Sequence, residues 1–199
     1  MLPNPIKKFV ELFSGLPGIG PRQATRLAIN VINGGKAKAR ELSKSIAELE
    51  NIKTCSQCFF IYDDENALCP VCSNPQRRKD VIAVVEKETD LISLEKTNKF
   101  TGRYFIIGEL KKDGVLDAVQ KLRLNSLKSF IQKEPGGKAE EIILAISPTT
   151  YGDFNSSLIA GELKNHAKKI TRLGRGIPTG GEIEFADEET LGDALKNRS

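Results

Sequence analysis

Four cysteines constrain this chain more than any other feature, because they fall in two matched pairs. Cys55 and Cys58 form the first pair and Cys69 and Cys72 the second, with ten residues between the pairs. Two such pairs place four thiolates at tetrahedral distance around one zinc ion and leave no ligand position for water. The spacing therefore predicts one structural, non-catalytic zinc ion per chain. The segment is too small for a core of its own, so we expect the metal to supply most of its folding free energy.

Two other interpretations of the cysteines fit the sequence less well. Disulfides belong to oxidising compartments, but the amphipathic N-terminal segment contains Glu11 and lacks the apolar stretch and cleavage site of a signal peptide. A thiol redox pair would not explain two matched pairs. No apolar run approaches the roughly 20 residues that a membrane span requires. We therefore expect a cytoplasmic protein with no membrane partner.

Three short helices are predicted at the N-terminus, with apolar stripes that begin at Ile6, Ala24 and Ala39. Charge is concentrated in the same region. The first 53 residues hold 9 of the 30 basic and 4 of the 26 acidic side chains, which gives this region a charge of +5. The remaining residues carry −1, so the net charge of the chain is +4. Such an excess attracts a polyanion, although the same cations could simply solvate helix faces.

The turn between the first two helices has the sequence LPGIGP, from Leu16 to Pro21. Two glycines permit a tight turn whose N–H groups lie at the positive end of the helix that Pro21 begins, which suits a phosphate. Two arginines four residues apart share one face of that helix. The alternative is a glycine-kinked helical hairpin with no ligand. The candidate DNA-binding residues are Gly18, Ile19, Gly20, Arg22 and Arg26.

The second half of the chain alternates short apolar runs with helical stretches, which indicates a parallel sheet covered on both faces. A helix anchored by Leu158 is predicted to continue through His166 and Ala167. A glycine-rich loop follows, and a last helix is predicted near the C-terminus. The predicted strands are 81–85, 104–107, 141–146 and 169–173, the loop is 174–181, and the last helix is 188–196.

Two acidic residues follow predicted strands. Glu86 comes directly after the first strand, and Asp153 follows the third. Acids beyond the carboxyl ends of parallel strands lie where such folds bind ligands, often through magnesium. Metal-dependent phosphoryl transfer requires two or three convergent carboxylates, so the single Asp153 argues against strong Mg²⁺ binding. We favour solvated loop acids or partner contacts for both.

Taken in order, these motifs resemble the bacterial RecR family of recombination mediators. The resemblance spans nearly the whole chain and is carried by the four cysteines and three further segments, 16–28, 81–108 and 171–195. It implies a multidomain α/β protein with four parts. These are a helix-hairpin-helix module (1–53), a four-cysteine zinc finger (54–79), a Toprim-type parallel-sheet domain (80–175), and a C-terminal tail with a short strand and a helix (176–199).

The resemblance also implies a function. It implies a non-enzymatic, nucleoid-associated clamp that forms a ring-like homotetramer around or against DNA, and the sequence leaves open whether this chain forms a dimer or a tetramer. Such clamps bind single- and double-stranded DNA without sequence preference. With RecO and RecF, which dock on the Toprim domain, they load RecA onto single strands. Arg22 and Arg26 stand where the family has its DNA-contacting basic residues.

The sequence departs from the family pattern at two places. Tyr151 stands where relatives have a carboxylate, and the segment 109–131 is more charged and more helical than the usual glycine-rich loop. A different class of function remains open on the sequence alone. A magnesium-dependent nuclease, primase or topoisomerase-like enzyme would use Glu86 and Asp153, and magnesium-dependent cleavage or synthesis would distinguish it from a clamp.

Overall fold

The computed structural model describes residues 2–198 and divides the chain into two compact units, one up to Ile52 and one from Lys53 on. The first unit contains three helices, α1 (Asn4–Phe13), α2 (Pro21–Asn33) and α3 (Gly35–Glu48), followed by a 3-10 turn. This confirms the three predicted helices. Helix α2 packs against both neighbours.

The core of this first unit is small. Among residues 2–52, only Ala24 and Ala28 are buried, and their small side chains allow the helices to approach closely. Phe9 and Phe13 stack with their ring centroids 3.9 Å apart. Many large apolar side chains are left exposed: Leu12, Leu16, Ile29, Ile32, Leu42, Ile46 and Leu49.

The second unit begins with the cysteine module, which we define as residues 53–73. It comprises a two-stranded antiparallel ribbon and one short helix. Its elements are β1 (Lys53–Thr54), β2 (Ile61–Tyr62) and α4 (Pro70–Ser73).

A four-stranded parallel sheet follows in the strand order β4-β3-β5-β6. Helices α6 and α7 supply apolar side chains to one face, while α5 and the cysteine module pack on the other. The predicted α/β class and the parallel sheet are confirmed. The elements are β3 (Val81–Val85), α5 (Glu88–Glu95), β4 (Arg103–Ile106), α6 (Ala118–Lys133), β5 (Ala139–Ala145), α7 (Thr150–Leu163) and β6 (Ala167–Arg172).

Two local predictions were wrong. Helix α7 ends at Leu163 and does not continue through His166 and Ala167, because Ala139 N donates to His166 O at 2.9 Å and Ala167 begins the ladder with β5. The short strand predicted in the C-terminal tail is absent from residues 176–198. A 3-10 turn (Ile183–Phe185) forms there instead, since its N–H groups bond within the turn.

The last helix, α8 (Glu188–Lys196), lies where the sequence predicts it. The side chain of Asp187 caps it by accepting a hydrogen bond from Thr190 N at 2.9 Å. Glu188 and Glu189 lie in its first turn, where carboxylates suit the helix dipole.

Candidate functional site

The four cysteine sulfurs form one buried cluster. All four Sγ atoms lie within 4.8 Å of one another, and those of Cys58 and Cys69 are 3.5 Å apart. Four ligands at the usual Zn–S distance of 2.3 Å have sulfurs about 3.8 Å apart in a tetrahedron. The cysteines form no disulfide. The four sulfurs are therefore arranged to hold one metal ion in a closed four-thiolate site.

Local backbone geometry explains how the first pair is held. Cys55 N donates to Phe60 O at 2.8 Å, and Phe59 N donates to Cys55 O at 2.9 Å, which closes a tight turn. Phe59 has φ +64°, an uncommon conformation for a residue with a side chain. Its ring meets Phe105 edge-on at 5.5 Å, so packing on the sheet compensates for the strained turn.

The cysteine module is not an isolated knuckle. The four sulfur-bearing residues belong to the same apolar cluster as Val85, Tyr104 and Ile106 of the sheet. Ile106 N also donates to Cys58 O at 2.9 Å, so the module covers the edge strand β4. The sheet therefore contributes apolar contacts to the module's stability, and the metal's share of the folding free energy stays a prediction.

Electrostatics within the cluster favour a cation. Hydrogen bonding with Cys69 raises the pKa of Cys58, whereas the same contact, with a second from Cys72, lowers the pKa of Cys69. One thiolate is thus stabilised by protons on its neighbours. Full ionisation of all four thiols requires a positive charge at the centre, and a bound metal ion would provide it.

The glycine turn of the first unit is open to solvent. Ile19 N donates to Leu16 O at 3.1 Å, and Gly18 has φ +75°, a conformation that favours glycine. Gly20 is the N-cap of α2 and offers no side-chain cap. A Cβ at Gly18 or Gly20 would meet nothing within 4 Å. An anion can therefore approach the backbone N–H groups at this end of α2.

Arg22 and Arg26 lie on the exposed side of α2, while Ala24 and Ala28 are buried on the opposite side. Among the residues described, neither arginine forms an ion pair. Both guanidinium groups are free to contact phosphate, beside the open turn. The five predicted DNA-binding residues are thus brought together on one short stretch.

The two Toprim acids have separate roles within the protein. Glu86 is half-buried, and its Oε1 accepts a hydrogen bond from Leu110 N at 3.0 Å. Asp153 forms ion pairs with Arg172 and Arg175, and the bond to Arg175, followed by that to Arg172, holds its pKa below the usual range. Both carboxylates therefore have intramolecular partners.

Sequence reasoning missed Arg172 and Arg175, because only the tertiary fold brings them to Asp153. Arg175 also pairs with Glu189 of α8, which ties the tail to α7. Both arginines line a cavity of about 440 Å³ beyond the carboxyl end of β5, beside Ser147 and Pro148. Within residues 2–198 the four cysteines are the sole group of three or more His, Cys, Asp or Glu side chains arranged to hold a metal ion.

Comparison with known families identifies three consecutive regions of the chain. Residues 6–49 match a RecR helix-hairpin-helix model, residues 80–174 match a Toprim domain, and residues 176–199 match the RecR C-terminal model. The fold and these matches define a recombination protein that combines a helix-hairpin-helix with a Toprim domain. The predicted boundaries at residues 53, 79 and 175 stay predictions.

Relatives of known name match over the full length. "Recombination protein RecR" of Gloeobacter violaceus is 34% identical over 199 residues, covering 100% of this chain and 98% of the relative. The protein of the same name from Psychrobacter sp. is 34% identical and covers 100% of this chain and 100% of the relative. The one from Prochlorococcus marinus (strain MIT 9312) is 37% identical and covers 98% of this chain and 96% of the relative. This chain belongs to the RecR family.

Membership of the family and the helix-hairpin-helix imply DNA binding and a role in DNA recombination. Across residues 2–198, no helix is both long and apolar enough to cross a membrane.

Proposed function

We propose that this protein is a DNA-binding clamp that acts in recombinational repair without catalytic activity. The observation that carries the proposal is the open glycine turn beside two exposed arginines, Arg22 and Arg26, that have no acidic partner among residues 2–198. Contacts from N–H groups and guanidinium groups to phosphate carry no base information, so binding is independent of sequence and includes single and double strands.

The state of the Toprim acids supports the absence of catalysis. Magnesium-dependent phosphoryl transfer needs convergent carboxylates free to bind the ion. Asp153 is neutralised by two guanidinium groups, and Glu86 accepts a backbone hydrogen bond. Tyr151 adds no carboxylate; its ring lies 5.6 Å from Lys112 Nζ. The domain then serves as a docking surface, with RecO and RecF as partners that help load RecA onto single strands.

Zinc is the metal we propose for the cysteine cluster, one ion per chain. Four buried thiolates with no place for water suit zinc in a structural role. Cys55, Cys58, Cys69 and Cys72 would be its ligands, and the ion would fix the turn that covers strand β4. We propose no bound Mg²⁺.

Self-association completes the proposal. One hairpin offers few phosphate contacts, so useful affinity requires several copies acting together. A dimer or a ring-like tetramer supplies them through symmetry. The exposed apolar side chains of the first unit support such contacts between copies, and a nucleoid location follows from DNA binding.

The hairpin is tested by fluorescence anisotropy with labelled single- and double-stranded oligonucleotides of several sequences. Arg22→Ala with Arg26→Ala should weaken binding equally for all sequences, because phosphate contacts are lost. The matched control, Lys96→Ala with Lys99→Ala, removes the same charge from exposed positions of the second unit and should bind nearly as wild type does. Binding unchanged by the arginine substitutions would remove the hairpin from the proposal.

The absence of catalysis is tested separately. Wild-type protein and Glu86→Gln are incubated with DNA and Mg²⁺, and the strands are analysed on denaturing gels. We expect intact DNA with both proteins. Cleavage or synthesis that requires Mg²⁺ and is lost in Glu86→Gln would establish a Toprim enzyme instead.

A further inference from the structure

Arg103 is a buried cation without a carboxylate partner. It is the first residue of β4 and is 7% exposed. Its Nη1 donates to Gln57 Oε1 at 3.3 Å, and its buried Nε has no hydrogen-bond partner in the described part of the chain. Among residues 2–198, no Asp or Glu oxygen lies within 4.0 Å of it. A permanently charged group is thus largely, though not wholly, held away from water.

The surroundings of Arg103 compensate for this burial only in part. Its guanidinium lies 5.2 Å from the centroid of the Phe130 ring, and a ring face attracts a cation weakly compared with an anion. Isolated buried charges are strongly disfavoured, so those that persist are paired or coordinate metals, and a guanidinium cannot coordinate a metal. The environment of Arg103 therefore calls for a negative group close to it.

The cysteine cluster is the negative group that the structure offers. Arg103, Gln57, Cys58 and Cys72 line one small cavity of about 10 Å³, which leaves room for at most one water molecule. Four thiolates around one divalent ion carry a net charge of −2. The cavity that these residues share holds too little water to screen an attraction between the cluster and the guanidinium strongly.

We propose that Arg103 is the internal counter-charge of the metal–thiolate cluster and slows release of the metal. The inference rests on the proposed zinc site and deepens it. Arg103 acts as a positioning residue in two ways. Its charge offsets that of the thiolates, and its bond to Gln57 holds the loop between Cys55 and Cys58 in the ligating conformation.

Two neighbouring arginines differ from Arg103 and provide comparison. Arg77 is also largely buried, but it forms an ion pair with Glu95 and donates to Gly102 O at 3.0 Å. Arg123 is half-buried and donates to Ile106 O at 3.1 Å, with its guanidinium 4.6 Å from the Phe59 ring centroid. Substitution of Arg77 therefore serves as the control, because it removes a buried cation that is already paired with a carboxylate.

The test uses the full-length, zinc-loaded protein and the variants Arg103→Gln, Arg103→Lys and Arg77→Gln. Zinc content is measured by atomic emission, zinc release by transfer to a chromogenic chelator, and stability by thermal unfolding. We expect Arg103→Gln to bind zinc about 10- to 100-fold more weakly than wild type, the loss of affinity seen when groups behind metal ligands are removed, and to release it correspondingly faster. Arg103→Lys, which keeps the charge, should be intermediate. Arg77→Gln should lower the unfolding temperature and release zinc at the wild-type rate.

The outcomes separate this inference from the zinc site itself. A wild-type protein that purifies with stoichiometric zinc, while Arg103→Gln releases it no faster, overturns the role of Arg103 and leaves the zinc site standing. Equal acceleration in Arg77→Gln also overturns it, because general loosening would then explain the effect. Wild-type protein without affinity for zinc rejects the zinc site and this inference together. If Arg103→Gln does not fold, Arg103→Met, which keeps the length of the side chain and removes its charge, takes its place, and wild-type release from that variant contradicts the inference.

Discussion

Asp153 shows how one carboxylate can be committed to the protein's own structure. It lies in the first turn of α7 and pairs with Arg172 and Arg175. Because its pKa is lowered in the folded state, the ion pairs stabilise the protein above the ordinary pKa of about 4, and this contribution is lost as pH falls through the native pKa.

Asp153→Asn should therefore lower stability at neutral pH and have little effect in strong acid. The side chain is 37% exposed, so we expect a loss below about 1 kcal/mol after screening by solvent. Urea unfolding between pH 7 and pH 2.5 measures the difference. Asp63→Asn is the control, since Asp63 is exposed and forms no ion pair among the residues described. A deficit that persists unchanged at the lowest pH would contradict the ion-pair explanation.

Two glycines of α7 should respond oppositely to alanine. A Cβ at Gly152 would lie 1.9 Å from Ser147 O, whereas a Cβ at Gly161 would meet nothing within 4 Å. Gly152→Ala should destabilise the protein by about 1–3 kcal/mol through overpacking. Gly161→Ala should stabilise it by up to about 1 kcal/mol through helix propensity. Thermal unfolding of the two variants measures both effects, and a change of the same sign in both would contradict the described packing around α7.

At the level of elements, the cysteine module and strand β4 depend on each other. Removal of metal should free the turn that carries Cys58, while the rest of the sheet keeps its own ladder. The amides of Phe59 and Ile106, which bond to Cys55 O and Cys58 O, should then exchange with solvent faster. The amide of Ile107, which bonds to Val85 O, should stay protected.

Residue-resolved hydrogen exchange, before and after chelation, measures this response. The zinc-loaded protein with the chelator's zinc complex added is the control for the chelator itself. Unchanged exchange at Phe59 would mean that packing alone holds the module. Loss of protection at Ile107 as well would mean that the sheet depends on the metal.

Spacing patterns predicted those elements whose contacts are local in sequence. Apolar residues at helical spacing from Ile6 to Leu49 predicted the helices, and the short β-rich runs predicted the strands. The spacing of the two cysteine pairs predicted the cysteine cluster. The end of α7 was missed because the choice at Ala167 is made by the ladder with β5, a partner distant in sequence. Likewise, Asp153 and Arg175 lie 22 residues apart, and only the fold pairs them.

The buried counter-charge at Arg103 has the same origin. In sequence it stands 45 residues beyond Cys58, directly before the apolar run predicted as a strand over 104–107. Nothing in that run distinguishes it from a solvated arginine, because its burial depends on the module folding over edge strand β4. A residue such as Arg103, which acts on the cysteine cluster indirectly, can therefore be identified from the structure but not from the cysteine motif.

For the molecule as a whole, the exposed apolar side chains of the first unit predict contacts between copies. Leu42, Ile46 and Leu49 form one exposed stripe along α3 and its following turn. Ile46→Glu should lower the mass measured by light scattering, because a charge in an apolar interface is disfavoured. Ser45→Glu introduces the same charge beside the stripe and serves as control. An unchanged mass for Ile46→Glu would exclude this stripe from the interface.

The most direct test of the central claim is the salt dependence of DNA binding by purified, zinc-loaded protein, with Mg²⁺ present and mass determined in parallel. Two arginines per hairpin predict a log–log slope of about −2 for one copy and about −7 for four copies on double-stranded DNA. We predict that the protein is an oligomer, that its DNA binding has a steeper salt dependence than a single hairpin would give, and that the DNA remains intact. A shallow slope from a monomer, or Mg²⁺-dependent strand cleavage, would contradict the clamp.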